Sequence, residues 1–253
     1  MDSLLTLSLV ICLAIQAVFF AFAASFKTDK VTDLSYSLTF VTVAVTLWLR
    51  STPPFGLPAL ILAGMVIAWG ARLAGYLFVR ILHMRRDARF DGIREHFWPF
   101  FKFWLFQGLA VWLIMLPVTL WFSAPGPWSL FSAAGVLVWA AGLVIETVAD
   151  AQKFAHKRTR DARWTSTGLW SVSRHPNYFG ELLCWWGVFL FVSGDLAGAN
   201  WWIGLTGPLA ITGVILFLTG VPQLEASAEA KWGSDPAYQR YKATTGLVIP
   251  WRR

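Results

Sequence analysis

The sequence predicts an all-α, polytopic integral membrane protein, a bundle of about seven transmembrane helices. Of its 253 residues, 57% are hydrophobic, and the mean hydropathy is +0.56, well above that of a soluble domain of this size. Several apolar segments reach the roughly 20 residues with which a helix crosses a bilayer. The strands of a membrane barrel would instead give short segments of alternating hydrophobicity.

The net charge of +7 is distributed in a way that predicts the topology. Lysines and arginines follow the first, third, fifth and seventh spans, whereas the intervening loops hold only Arg50. Because basic loops stay in the cytoplasm, we expect the N-terminus outside and the C-terminus inside. We expect one transmembrane domain over residues 1–253, with spans near residues 4–26, 33–49, 57–82, 99–122, 129–152, 177–194 and 201–221.

The third predicted span carries a stripe of polar residues on one face. The stripe consists of Arg72, Tyr76, Arg80 and His83, spaced by four, four and three residues. Two interpretations stay open for it. The bases either reach water by snorkelling or, in the case of the deeper Arg72, line a polar cavity.

A second polar stripe ends the fifth predicted span. It consists of Glu146, Asp150, Lys153 and Lys157, spaced by four, three and four residues. Helical ion pairs at the end of the helix would explain the lysines. The two carboxylates repel each other, so the alternative is that they have an external partner.

Residues 170–187 are the segment around which the chain is organised, because a polar cluster there runs directly into an apolar helix. The cluster contains Ser173, Arg174, His175, Asn177 and Tyr178. Pro176 suits the first turn of the helix. Glu181 follows one turn later among apolar residues, where a carboxylate needs a partner. The N–H groups and the dipole of this helix N-terminus attract anions.

The preceding loop, residues 158–176, is basic, and the charge distribution predicts that it is cytoplasmic. A phosphorylated nucleotide fits this arrangement of bases. The chain has neither a Rossmann fingerprint nor a P-loop, so a nucleotide would be held by another architecture. Attraction of the bases to anionic lipid is the alternative, but it does not explain Asp150, Asn177 or Glu181.

Two further acidic residues have alternative interpretations. Asp33 opens the second span with Tyr36 one turn later, and it either caps the helix or holds a carboxyl group at the mouth of a cavity. Glu225, after the seventh span, either reaches back to the arginines or forms a solvated ion pair. The tail carries Trp251 in an aromatic segment typical of a membrane interface.

Four motifs carry a resemblance to a known family. They are the run Ser173-Arg174-His175-Pro176-Asn177-Tyr178-Phe179-Gly180-Glu181 with Trp185-Trp186-Gly187 after it, Asp150-Ala-Gln-Lys153, Gly168-Leu-Trp170, and the closing Tyr238, Tyr241 and Ile249-Pro250. The sequence resembles the steroid 5α-reductase C-terminal family, most strongly from residue 146 onward. The same superfamily includes Δ14- and Δ7-sterol reductases and, more distantly, isoprenylcysteine carboxyl methyltransferases.

The resemblance implies a membrane reductase of the 3-oxo-5α-steroid 4-dehydrogenase type. Such an enzyme binds NADPH on the cytoplasmic side and transfers a hydride to the β-carbon of a lipophilic enone, here a Δ4-3-oxo-steroid or a similar lipid. The cofactor would be bound mainly by residues 146–253. The residues that the resemblance and the basic loop assign to the cofactor are Arg72, Arg80, Asp150, Lys157, Arg163, Arg174, His175, Asn177 and Glu181.

The catalytic candidates are Asp33, Tyr36 and Tyr178. Asp33 stands where the family has a Glu that polarises the steroid carbonyl, so we expect Asp33 or a nearby tyrosine to donate a hydrogen bond to the 3-oxo oxygen. The chain departs from the family at Lys157, where the family has an Arg, and at Arg80, where it has an Asn.

Two other classes of function stay open. One is an S-adenosylmethionine-dependent methyltransferase, which would use the same His175-Pro176 step, although its cofactor carries no phosphate and needs fewer cations. The other is a lipid-binding or structural bundle, which charges within spans disfavour. We expect a lipophilic substrate, contact with the bilayer, no nucleic acid, no metal and a monomer. We also expect a bacterial inner-membrane location, with the active site open to the cytoplasm.

Overall fold

The computed structural model describes residues 2–51, 56–83, 90–159 and 163–251, but not the side chains of residues 2 and 77–83. Within those ranges the chain is helical and has no β-strand, so the predicted all-α fold is confirmed. The helices are α1 (Asp2–Ser25), α2 (Thr32–Arg50), α3 (Leu57–His83), α4 (Phe97–Ile114), α5 (Leu116–Ser123), α6 (Leu130–Arg158), α7 (Pro176–Ser193), α8 (Ala199–Gly213), α9 (Val221–Trp232) and α10 (Pro236–Thr244).

Each predicted span coincides with helical structure, but one span is broken in its interior and others differ at their ends. The fourth predicted span consists of two helices, because α5 restarts at Leu116 with Pro117 in its first turn. A proline cannot donate the hydrogen bond that would continue α4. The fifth predicted span continues to Arg158, since the polar stripe extends the same helix beyond its apolar part.

Six helical segments of the described chain are long and apolar enough to cross a membrane. They are Ser3–Ser25, Thr32–Arg50, Leu57–Tyr76, Phe97–Ile114, Leu130–Arg158 and Ala199–Trp232. α7 is not among them, although it coincides with the sixth predicted span, because Asn177 and Glu181 make it more polar. The chain is a multi-pass membrane protein, while the seventh span and the orientation of the termini stay predictions.

The chain forms two compact units, and the expectation of a single domain stays a prediction. The first unit comprises Met1–Ala133 and Val188–Gly207. In it, α1 packs against α2 and α4, and α2 packs against α3. A buried polar network joins three of these helices: Gln16 Nε2 donates to Thr39 Oγ1 at 2.9 Å, and Gln107 Nε2 donates to Gln16 Oε1 at 2.8 Å. The network satisfies amide groups within apolar segments.

The second unit comprises Ala134–Gly187 and Pro208–Arg253, and glycines bring α6 and α7 into backbone contact within it. A Cβ atom on Gly180 would lie 2.5 Å from the backbone nitrogen of Glu146 and 2.6 Å from the carbonyl oxygen of Gly142. Only glycine fits at such a distance. The buried Glu146 and Asp150 of α6 therefore lie close to the polar start of α7.

Candidate functional site

The segment before α7 is fixed against the end of α6. Its 3₁₀ turn, Gly168–Ser171, begins with a glycine in the left-handed region, at φ +61°. The N–H of Leu169 donates to Oε1 of Gln152 at 2.9 Å, and the indole of Trp170 donates to the carbonyl of Ala149 at 2.9 Å. A side chain on Gly168 would collide with Gln152, so this turn depends on a glycine.

The tail folds back onto the same segment. The N–H of Arg174 donates to the carbonyl of Gly246 at 2.8 Å, and the hydroxyl of Ser173 donates to the carbonyl of Val248 at 2.7 Å. The Ser173 hydroxyl also accepts the N–H of His175 at 3.2 Å. These bonds hold Arg174 and His175, directly before α7, in one backbone conformation.

A cavity of about 370 Å³ lies in the second unit between the end of α6, the loop before α7, α9 and α10. Four of the predicted cofactor residues line it, namely Lys157, Arg163, Arg174 and His175. Lys153 and Lys231 add two more cations, whereas Glu225 supplies the one carboxylate among the described lining residues. The cavity is therefore strongly electropositive, as the basic loop predicts.

Glu225 bridges the two residues before α7. One of its oxygens lies 2.8 Å from Nε2 of His175, and the other accepts a short hydrogen bond from Nη1 of Arg174. Of the two interpretations of Glu225, contact with an arginine is confirmed. Burial lowers the pKa of His175, and the hydrogen bond and charge of Glu225 oppose this shift without overcoming it. The neutral imidazole then donates its Nε2–H to the carboxylate.

Aromatic side chains form the rest of the wall. The ring of Trp164 lies 5.1 Å from that of Tyr238 and 6.2 Å from that of Trp232. The hydroxyl of Tyr241 donates to the carbonyl of Trp170 at 2.7 Å, and burial raises the pKa of this tyrosine above its usual range. These rings give the electropositive cavity flat surfaces on which a ring system could stack.

Three polar atoms of lining residues are buried without a hydrogen-bond partner in the described part of the chain. They are Nε1 of Trp164, Nε of Arg174 and Nδ1 of His175. Buried polar atoms normally have partners. With the Nε2–H donated to Glu225, Nδ1 of His175 is an acceptor, so the three atoms amount to two donors and one acceptor.

The other predicted residues of the second unit lie outside the lining of this cavity. Asp150 is buried, at 5% exposure, on α6. Asn177 and Glu181 lie on the first turns of α7, and Oδ1 of Asn177 is buried with no partner among the described residues. The ring of Tyr178 stacks on His175 with a centroid distance of 5.7 Å, which places this catalytic candidate beside the cavity wall.

The remaining predicted residues belong to the first unit. Asp33 lies in the first turn of α2, but the N-cap position is occupied by Val31, so the interpretation of Asp33 as the cap is wrong. The ring of Tyr36 packs edge-on against Phe40 at 5.0 Å. Arg72 is half-buried on α3. The predicted role of Arg80 concerns a side chain outside the described residues.

Sequence reasoning missed the aromatic wall. Tyr238 and Tyr241 entered only as part of the closing motif, and Trp164 and Trp232 were not singled out at all. A signal was present, because Trp164 is a large aromatic residue within a basic loop, where polar residues are the rule. An aromatic residue among bases is the composition expected where an anionic ring compound binds.

Fold and site together define a class: a multi-pass helical membrane protein with an electropositive, aromatic cavity at the end of α6. The family described as "Protein of unknown function (DUF1295)" matches residues 19–245, and the chain belongs to that family. This family lies within the steroid 5α-reductase-like superfamily. Neither the curated proteins nor the solved structures contain a match to the chain.

Proposed function

We propose that the protein is a membrane-embedded reductase that uses NADPH to reduce the C=C bond of a lipophilic enone, such as a Δ4-3-oxo-steroid or a similar lipid. The observation that supports it most is the cavity, whose described lining residues include five lysines and arginines, three tryptophans and one carboxylate. Membership of the superfamily is consistent with the same activity.

The residues of the cavity fit the chemistry of NADPH. A pyrophosphate and a 2′-phosphate need several cations, which Lys157, Arg163 and Lys231 supply. The indole of Trp164 offers a face to an adenine ring. The unpartnered atoms of Arg174 and His175 offer a donor and an acceptor to the ligand's polar groups. The volume of about 370 Å³ lies within the range of about 300–1,000 Å³ typical of ligand pockets.

When bound, NADPH supplies a hydride for the β-carbon of the enone, and a proton completes the reduction at the α-carbon. The chain's own task is then to orient both reactants and to polarise the enone. We assign the hydrogen bond to the substrate's oxo group to Asp33, in its protonated form, or to Tyr36 or Tyr178. Such a bond stabilises the enolate that develops as the hydride arrives.

The methyltransferase alternative is less well supported by the same cavity. S-adenosylmethionine carries a positive sulfonium centre and no phosphate, so five cations in the wall would repel it more than they would bind it. Only Glu225 offers it a carboxylate among the described lining residues, and that group already accepts hydrogen bonds from Arg174 and His175.

Hydride transfer tests the proposal directly. The purified protein in proteoliposomes receives NADPH deuterated at the transferable position, together with a panel of steroid, prenyl and fatty enones. Mass spectrometry of a reduced product should show deuterium at the β-carbon, and Lys157→Gln should slow the reaction while Lys102→Gln, an exposed base on α4, should not. Methyl transfer from S-adenosylmethionine to an added lipid, with no reduction of any enone, would contradict the proposal.

A further inference from the structure

The chain after α10 forms a short closed loop that does not line the cavity. The N–H of Gly246 donates to the carbonyl of Trp251 at 2.7 Å, and the N–H of Trp251 donates to the carbonyl of Val172, also at 2.7 Å. A side chain on Gly246 would collide with the carbonyl oxygen of Ile249, so the closed form requires a glycine there. The loop is therefore held in one conformation, with both its ends tied to the segment before α7.

The side chains of this loop divide into one buried side chain and an exposed apolar tip. Val248 is 5% exposed and packs inward. Three large apolar side chains are instead turned outward, with exposures of 42% for Leu247, 72% for Ile249 and 56% for Trp251. A loop that is closed by hydrogen bonds and exposes three such side chains together is typical of an interaction surface.

The apolar length of α6 indicates the depth of the loop relative to the bilayer. From Leu130, about 20 residues at 1.5 Å each span the roughly 30 Å of hydrocarbon. The apolar part of α6 therefore ends near Ala149, whose carbonyl accepts the indole N–H of Trp170. Val172, which binds the loop, follows two residues after Trp170. The loop thus lies where the hydrocarbon ends and the lipid headgroups begin.

The sequence after the tip is consistent with the same environment, because Arg252 and Arg253 follow Trp251. Tryptophan favours the interface between headgroups and acyl chains, and arginines next to a bilayer surface attract anionic lipids.

We propose that loop 246–251 is an interfacial anchor: Leu247, Ile249 and Trp251 enter the headgroup boundary of the bilayer, and Arg252 and Arg253 bind anionic lipid headgroups. Because the N–H of Arg174 is bonded to Gly246, the bilayer then also fixes one wall of the electropositive cavity. The anchor does not depend on the reductase proposal, since it concerns a different surface.

A polarity-sensitive dye on a single cysteine tests this. The variant Ile249→Cys carries the dye at the tip, and Ser234→Cys, in the exposed turn between α9 and α10, is the matched control. The native Cys12 and Cys184 are buried, so the parent protein should take up no dye. Leu247→Cys is the second tip variant, for use if the first does not fold. Each labelled protein is reconstituted into phosphatidylcholine vesicles with or without phosphatidylglycerol.

At position 249 we expect blue-shifted emission, severalfold weaker quenching by aqueous iodide than at position 234, and strong quenching by brominated lipids. Phosphatidylglycerol should increase the blue shift and the quenching by brominated lipids at position 249. The double variant Arg252→Gln, Arg253→Gln should lack this increase. Equal iodide quenching at the tip and the control positions would overturn the anchor and show a tip in water or against another partner. A phosphatidylglycerol increment that survives loss of both arginines would overturn their assigned role.

Discussion

Oε1 of Glu225 lies 2.8 Å from Nε2 of His175, and the other oxygen of the same carboxylate is bonded to Arg174. An acid on α9 thus neutralises part of the charge that the residues before α7 present to the cavity. The carboxylate occupies a position at which a ligand's phosphate would also be attracted. Glu225 is therefore an internal competitor of any anionic ligand that approaches Arg174.

Removing the charge of Glu225 should strengthen cofactor binding. In Glu225→Gln the side chain keeps its shape, the cavity becomes more positive, and we expect the Kd for NADPH to fall a few fold. The free energy of unfolding should fall by about 1 kcal/mol, because a partly buried ion pair is lost. Calorimetric titration and denaturation in detergent measure the two effects.

Glu229→Gln is the control for that experiment, since Glu229 is on the same helix and is paired with Lys242, but lies outside the cavity lining. It should leave the Kd for NADPH unchanged. Weaker NADPH binding by Glu225→Gln would show that Glu225 positions Arg174 and His175 for the cofactor instead of competing with it.

The stability of the second unit should depend on pH through His175. Burial lowers the pKa of this residue in the folded state, whereas in the unfolded chain it titrates near about 6.5. The unfolded state therefore binds the proton first as pH falls. Stability should be full above about pH 6.5 and decrease below it, with a slope of up to about 1.4 kcal/mol per pH unit. We expect the free energy of unfolding to fall more steeply with decreasing pH in the wild type than in His175→Gln, by the slope that corresponds to one proton. Identical slopes in the two proteins would contradict the assignment to His175.

The contact between α6 and α7 predicts a large effect of one methyl group. In Gly180→Ala the new Cβ would lie 2.5 Å from the backbone nitrogen of Glu146, so the helices must separate. Overpacking of this kind costs about 1–3 kcal/mol, which thermal denaturation should detect. Gly64→Ala is the matched control, because this helical glycine has no neighbouring atom within 4 Å, and it should be neutral or slightly stabilising. Equal effects of the two substitutions would refute the close packing.

Asp33 separates cofactor binding from turnover in the proposed mechanism. Asp33→Ala should bind NADPH like the wild type and lose most enone reduction, while Asp33→Glu, which keeps the carboxyl group, should retain part of it. Product formation in proteoliposomes and NADPH binding are measured on the same preparations. Wild-type turnover by Asp33→Ala would show that Asp33 does not polarise the substrate's carbonyl, and would leave Tyr36 or Tyr178 for that role.

The sequence predicted the helices better than the site because helices depend on local pattern. Apolar length located the six helical segments that are long and apolar enough to cross a membrane, and Pro117 could have revealed the break between α4 and α5. The charge of the cavity followed from the basic loop. Its aromatic wall did not, because Trp164 meets Tyr238 only when the tail folds back across more than seventy residues. The interpretation of Asp33 as the cap of α2 was wrong because the N-cap position is Val31, two residues before Asp33.

The most direct test of the central claim is the thermal shift of the detergent-purified protein with NADPH and with S-adenosylmethionine at matched concentrations. A ligand that binds only the folded state raises its stability by mass action. We predict a clear rise in Tm with NADPH alone. In Lys157→Gln, about ten times more NADPH should be needed for the same rise, which corresponds to about 1.4 kcal/mol of binding free energy. Lys102→Gln should show the same rise as the wild type. A rise with S-adenosylmethionine and none with NADPH would contradict the account and assign the cavity to methyl transfer.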